Sequence, residues 1–365
     1  MPYVSIILPT YNGSRFIKDA IDSILNQSFE DWELIIVNDC STDCTPDIID
    51  EYLINDSRIR VIHNEVNQKL PKSLNIGFRE AKGELLTWTS DDNMYRENAI
   101  EKMVDYLNNN LAEMMVCTRF DFVDDECNYQ GTSSEYSNDL MLVNNCVGAC
   151  FMYRKAVLHE VGEYDANLFL VEDYEYWLRI LFKYGNIAYL DENLYIYRNQ
   201  KGSLTATRMK DIKYNIAKMQ LKYLDKIVPK LCDNQEALTK IYFEIERNVG
   251  LPTDAQSLIQ SKVDLMSMII ETELPEKFIV YGAGEIGRKL CETHYNNIVC
   301  FADKNPDKCG QFVEGKEIIS LDELKNLSLA NQVVIAAGTE KVYDFINTLH
   351  QLGIGKCYIY KEGWK

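Results

Sequence analysis

Two acidic pairs and one isolated acid are the residues of this chain best placed to do chemistry. Asp91-Asp92 lie just past the apolar run 84–88, inside Thr87-Trp88-Thr89-Ser90-Asp91-Asp92-Asn93. The run predicts a short buried strand, and residues 97–107 predict a helix. Ligands of α/β proteins bind beyond the carboxyl ends of the strands. Adjacent carboxylates there can hold a divalent cation, which offsets the charge of a diphosphate. The competing reading is a helix N-terminus decorated with acids that its dipole favours. Glu172-Asp173 precede Tyr174, Trp177, Leu178 and Leu181, which fall at helical spacing. A carboxylate there can serve as a general base or cap the helix. Asp39 sits in the polar turn Asn38-Asp39-Cys40-Ser41-Thr42-Asp43, where it can accept from a base N–H or start a helix.

These acids need a scaffold, and the hydrophobic pattern supplies one. Short apolar runs at 4–8, 34–37, 60–63 and 84–88 predict strands, and 14–26, the segment to about residue 52, and 70–81 predict the intervening helices. Residues 34–37 are apolar throughout, as in a strand covered on both faces. Strands alternating with helices imply a parallel sheet with right-handed crossovers. Residues 114–118 and 145–153 are apolar, and 131–139 read as a loop. From 206 to 274 the pattern is helical and amphipathic, at 212–224, 235–249 and 255–270, broken by Gly250-Leu251-Pro252. A βα pattern restarts beyond Pro275, with strands at 278–281, 298–302 and 333–337.

With 365 residues the chain can hold two domains, and 46% hydrophobic with 26% charged residues is the balance of a soluble globular protein. No apolar run approaches the roughly 18 residues of a bilayer span, and the N-terminus lacks a basic leader. A mature cytoplasmic protein is the expectation. The net charge of −18 argues against nucleic acid as a partner and offers no obvious patch for anionic lipid. Eleven Cys occur without a Cys-x-x-Cys pair, so they read as reduced thiols.

Five segments in order resemble family 2 of the inverting glycosyltransferases, which has the GT-A fold. Val4-Ser5-Ile6-Ile7-Leu8-Pro9-Thr10-Tyr11-Asn12 resembles its opening strand and nucleotide loop, and 32–43 its second-strand signature. Asn75-Ile76-Gly77 with Ala81-Lys82-Gly83-Glu84 precedes the acidic motif as in the family. Residues 89–95 are similar to the motif of spore-coat polysaccharide glycosyltransferases, and Glu172-Asp173 with Trp177-Leu178-Arg179 to the late acid motif. The resemblance covers about residues 3–205. It implies a UDP-sugar donor, with Mn²⁺ or Mg²⁺ on Asp92 and with Asp91 turned to the ribose or sharing the metal. It assigns uracil to Asp39, the base pocket to Tyr11, the loop's shape to Pro9 and the catalytic base to Asp173. On residue type alone, Asp39 could instead be an N-cap, Tyr11 packing and Pro9 a strand terminator.

The chain departs from the family at three places. Thr89 stands where many members have a third acid, and Gln200 follows Tyr197-Arg198-Asn199 where many have His. Cys40 and Cys44 occupy the usual Gly positions of the second-strand signature. A cation such as Arg198 or Lys201 is the expected helper for the diphosphate.

Gly282-Ala283-Gly284-Glu285-Ile286-Gly287 follows a strand and opens a helix, and Asp303 ends the next strand. The spacing is that of a dinucleotide fingerprint. The segment resembles small Rossmann-like modules appended to sugar-modifying enzymes, so Gly282, Gly284, Gly287 and Asp303 form a second nucleotide-site candidate; the glycines could equally serve helix–strand packing.

The expectation is therefore a GT-A glycosyltransferase domain at 1–205, a helical connector at 206–274 and a Rossmann-like α/β domain at 275–365. Its reaction would be inverting, metal-dependent transfer from a UDP-sugar to a hydroxyl of a glycan or lipid-linked glycan in bacterial surface polysaccharide synthesis. Peripheral membrane association and a homodimer through the connector go with it. The rival readings are a nucleotide-sugar sensor with a decayed site and an NAD-dependent oxidoreductase using the C-terminal segment.

Overall fold

A computed structural model describes residues 1–270 and 273–362; residues 271–272 of the expected connector and 363–365 of the expected last domain lie outside them. The chain divides into two compact units, Met1–Asn215 and Ile216–Lys365.

The first unit is a mixed sheet flanked by helices. Its strands are β1 (Val4–Thr10), β2 (Trp32–Asn38), β3 (Ile59–His63), β4 (Leu85–Trp88), β5 (Met94–Tyr95), β6 (Met115–Val123), β7 (Tyr129–Thr132), β8 (Phe151–Arg154) and β9 (Ala188–Arg198). They lie in the order β3-β2-β1-β4-β8-β6-β9-β5, with β7 paired to β6. β3, β2, β1 and β4 are mutually parallel, whereas β8 is antiparallel to β4 and β6. β1 and β2 are buried along their whole length, which explains their uninterrupted Val, Ile and Leu. Pro9 does not end its strand: β1 runs on to Thr10, with Pro9 opposite Val37.

The helices are α1 (Ile17–Leu25), α2 (Thr45–Asn55), α3 (Leu70–Glu80), α4 (Ala99–Asn109), α5 (Asn138–Val143), α6 (Lys155–Val161) and α7 (Glu172–Tyr184), then α8 (Leu204–Thr207) and the start of α9 (Met209–Lys222). Ile17, Ala20, Ile21 and Ile24 of α1 and Ile100, Met103, Val104 and Leu107 of α4 join β1 and β2 in one apolar core. The chain leaves β1 toward β2 and β3, then returns to place β4 on the other side of β1. That reversal leaves a crevice between the carboxyl ends of β1 and β4. It is where Thr10 and Asp91 meet.

One expectation about the acidic pair changes. The helix after Asp91-Asp92 starts at Ala99, and β5 intervenes, paired with β9. The pair therefore does not decorate a helix N-terminus.

The second unit contains α10 (Leu224–Lys230), α11 (Gln235–Val249) and α12 (Thr253–Gln260). A six-stranded sheet follows: β10 (Phe278–Tyr281), β11 (Ile298–Ala302), β12 (Phe312–Val313), β13 (Lys316–Ile319), β14 (Gln332–Ile335) and β15 (Tyr358–Ile359), in the order β12-β13-β11-β10-β14-β15. Its helices are α13 (Glu285–His294), α14 (Leu321–Leu327) and α15 (Val342–Gln351). α11 packs on α15, so one helix of the expected connector lies against a helix of the α/β segment that follows.

Candidate functional site

Asp91 is fixed by the loop that leaves β1. Thr10 Oγ1 donates to its Oδ2 at 2.5 Å, and the Tyr11 N–H also bonds the carboxylate. Gly13 makes this possible: a Cβ there would stand 2.1 Å from Asp91 Oδ2 and 2.6 Å from Thr10 Oγ1. Burial, and then the charge of Asp92, push the Asp91 carboxyl up to about 7 against the pull of those hydrogen bonds. Two neighbouring carboxylates so placed favour a positive partner.

Asp92 is held by the segment that follows β9. Gln200 Nε2 donates to its Oδ2 at 2.6 Å. Burial raises its pKa, partly countered by Gln200 and the Arg198 charge. Arg198 is only 2% exposed, and its guanidinium is fully engaged. It donates to the backbone carbonyls of Asp92 at 3.1 Å and Asp125 at 3.1 Å, pairs with Asp19 at 2.8 Å, and lies 4.1 Å from the Phe16 ring centroid. Its backbone N–H donates to Asn93 Oδ1 at 2.8 Å. The expected role of Arg198 as a diphosphate cation is therefore corrected: it clamps the acidic loop. Lys201 is exposed. Thr89, in the third-acid position, is 1% exposed with its hydroxyl 2.6 Å from that of Tyr195. A carboxylate there would be buried in the core.

The two nucleotide-loop candidates lock together. The Asn12 N–H donates to Ser41 Oγ at 2.9 Å, and Asn12 Oδ1 accepts from the Thr42 N–H at 2.8 Å. Asp43 accepts from the Ser14 and Thr45 N–H groups, which bring its pKa down to about 2 despite its burial. Cys40 has φ 65°, so the position usual for Gly keeps the left-handed backbone with a thiol side chain. Pro9 is buried in β1, and Tyr11 is 51% exposed at the loop's tip. Asp39 is 4% exposed and accepts three bonds, from Asn64 Nδ2 and the Gln68 and Lys69 N–H groups, at 2.7 to 2.9 Å. It organises the entry to α3.

Asp173 lies in the first turn of α7. Its Oδ2 accepts from Asn145 Nδ2 at 2.9 Å, and its Oδ1 from the Tyr174 N–H at 2.7 Å. Burial raises its pKa. Glu172 is 4% exposed, its pKa raised by burial and then by Asp173, and its Oε2 has no partner among the described residues. Tyr197, in β9, is half-buried. Burial raises its phenol most, and the charges of both Asp92 and Asp173 push it further.

Comparison with known proteins fits this geometry. Residues 5–162 match the family model described as Glycosyl transferase family 2. The match covers less than half of the chain and includes the Asp91-Asp92 pair. Asp173 and Gln200 lie beyond the matched segment. An uncharacterized glycosyltransferase of Rickettsia felis is 31% identical over 49% of this chain and 31% of its own length. Glycosyltransferase GlyG of Streptococcus pneumoniae is 24% identical over 56% and 73%. TuaG of Bacillus subtilis, named for teichuronic acid biosynthesis, is 37% identical over 29% and 42%. The chain thus spans less than two thirds of most of these curated relatives. The structure of S. aureus TarS residues 1–349 with UDP-GlcNAc has a TM-score of 0.51 at 18% identity, covering 72% of this chain and 84% of that one. The likeness is one of fold, GT-A.

The donor set fits a hard divalent ion. Asp91 and Asp92 offer carboxylate oxygens, and Gln200 an amide beside them, which suits Mg²⁺ or Mn²⁺. Among the described residues no three acidic, His or Cys side chains form a closed cage. Such ions commonly keep one or two carboxylates and complete their shell with phosphates and water.

In the second unit the glycine turn forms as spaced. A Cβ at Gly287 would stand 2.1 Å from the Gly282 carbonyl oxygen, so that glycine lets α13 approach β10. Gly282 has φ 117°, and Gly284 caps α13. Asp303 Oδ2 accepts from the Ala283 N–H at 3.2 Å and from Lys308 Nζ at 2.8 Å. Burial would raise the Asp303 pKa, but Lys308 and the backbone donors bring it below the ordinary value.

Proposed function

We propose that the chain is an inverting, divalent-metal-dependent glycosyltransferase that moves a sugar from a UDP-sugar to a hydroxyl of a glycan. The observation that carries this reading is the Asp91-Asp92 pair in the crevice beyond β1 and β4, fixed by Thr10 and Gln200. On this reading the pair serves a metal diphosphate, and Asp173 serves separately as the base. Asp92, with Asp91, holds the ion, and the ion when bound offsets the charge developing on the diphosphate. Gln200 and Arg198 keep Asp92 in place. The Thr10–Gly13 loop carries Tyr11 to the base pocket, and Asp39 shapes the wall behind it.

Asp173 removes the proton from the acceptor hydroxyl as its oxygen bonds to the anomeric carbon. The bond from that carbon to the diphosphate breaks on the opposite face, and UDP leaves with the electron pair. Inversion follows from single displacement. Asn145 orients the Asp173 carboxylate without neutralising it, and burial keeps it basic. UDP-GlcNAc in TarS supports a UDP-sugar donor, and TuaG supports a surface polysaccharide product. No helix among the described residues is long and apolar enough to cross a membrane.

The test is UDP release from a panel of UDP-sugars with Mn²⁺ and glycan acceptors. Turnover of at least one donor, abolished by chelation, is expected. No release from any donor with any acceptor would contradict the proposal.

A further inference from the structure

The chain is strongly acidic, yet the segment that follows Gln200 is not. Residues 201–214 carry Lys201, Arg208, Lys210 and Lys213 against the single acid Asp211, in a protein whose net charge is −18. Every residue in that stretch is exposed except Ser203 and Ile212, which are half-buried. Three apolar side chains stand out with the cations: Leu204 is 45% exposed, Met209 44% and Tyr214 49%. Apolar side chains interleaved with Lys and Arg on an exposed helical segment are the composition of an interfacial anchor.

Its position gives the segment a purpose. Residues 201–214 follow directly on Gln200, whose amide holds Asp92. In α9, Asn215 Nδ2 donates to the Phe169 carbonyl at 3.2 Å, in the loop just ahead of Asp173. The segment is therefore flanked by Gln200 at Asp92 and by Asn215 at the loop ahead of Asp173.

We infer that residues 201–214 dock on an anionic lipid surface. The cations meet acidic headgroups while Leu204, Met209 and Tyr214 enter the headgroup–acyl boundary. A long polyanion such as nucleic acid fits less well. It would need a broad basic surface and would meet the acidic remainder of the chain, whereas a bilayer touches only the docked segment. Near such a surface each cation contributes about fivefold in affinity. Four cations, one of them paired with Asp211, and three apolar side chains give reversible peripheral binding. That the docked surface presents a lipid-linked acceptor to Asp173 rests on the proposed transfer reaction; the docking itself does not.

The test is co-sedimentation of the full chain with phosphatidylcholine vesicles, either plain or containing about one third phosphatidylglycerol. Wild type is expected to pellet with the anionic vesicles alone and to be released as salt rises. Lys210→Glu with Lys213→Glu should lower vesicle affinity by about tenfold or more. The milder Lys210→Gln with Lys213→Gln should act in the same direction while keeping the wild-type melting temperature. Asp173→Asn should pellet like wild type, so a failed transfer reading leaves the docking result standing. The inference is overturned if wild type stays in the supernatant, if it binds plain vesicles equally, or if both double variants bind undiminished. Binding to heparin with no binding to vesicles would assign the surface to an acidic polymer and also overturn it.

Discussion

Gln200 Nε2 donates to Asp92 Oδ2 at 2.6 Å, across 108 positions of sequence. The end of β9 thereby holds the carboxylate proposed to bind the metal. Partners behind metal ligands typically change affinity by about 10- to 100-fold when removed. Gln200→Leu should weaken Mn²⁺ binding within that range, read by the loss of the free Mn²⁺ resonance signal on titration. Gln200→His should restore most of the affinity, because imidazole can also donate to Asp92.

Gly13 faces Asp91 with no room for a side chain. Gly13→Ala places a methyl where Asp91 Oδ2 now sits, 2.1 Å from the ideal Cβ. The carboxylate or the loop must shift by about an ångström, a displacement that can cost about a hundredfold in rate. Calorimetry should show UDP affinity falling by tenfold or more, on the order of such displacements, while far-ultraviolet circular dichroism stays unchanged.

Arg198 joins the acidic loop to α1 and to the carbonyl of Asp125. Arg198→Ala leaves two carbonyls with a lost partner, while Asp19, half-exposed, rehydrates. A loss of about 2 kcal/mol is expected in urea unfolding. Arg198→Lys should recover little of it, since an ammonium cannot span these partners.

The pH dependence follows from the raised pKa of Asp173. A base works only when deprotonated, so transfer should fall as pH drops through a value above the ordinary carboxylate range of about 4. For stability the sign is opposite. A carboxyl whose folded pKa is raised contributes fully below its unfolded pKa and loses that contribution as pH rises toward the folded value. Glu172 behaves this way, with burial and Asp173 both raising it. Glu172→Gln should melt higher than wild type at alkaline pH, and the gap should close as pH falls toward about 4.

Much of this was legible because α/β sheets write themselves in short apolar runs. Strands at 4–8, 34–37 and 84–88 are found at Val4–Thr10, Trp32–Asn38 and Leu85–Trp88. β5 was not legible: two residues, Met94 and Tyr95, carry no period, and only pairing with β9 makes them a strand. The candidate acids stood out by type, yet their holders did not. Asn145 meets Asp173, and Gln200 meets Asp92, through long-range packing that leaves no local mark. Gly13 did have a signal, a glycine just past the β1 end, but its meaning depends on Asp91 being opposite. Arg198 was misread because a cation near acids looks like a ligand; burial and five engaged partners show otherwise. The exposed basic segment was hidden by the global charge, which averages over its surroundings.

The central claim is a division of labour between Asp92 and Asp173. The most direct measurement pairs UDP calorimetry in the presence of Mn²⁺ with transfer assays on Asp92→Ala and Asp173→Asn. Asp92→Ala should lose metal-dependent UDP binding and transfer together. Asp173→Asn should bind UDP like wild type and lose transfer by about a hundredfold or more, the usual scale of a general base. Full transfer by Asp173→Asn, or undiminished metal-dependent UDP binding by Asp92→Ala, would contradict the account.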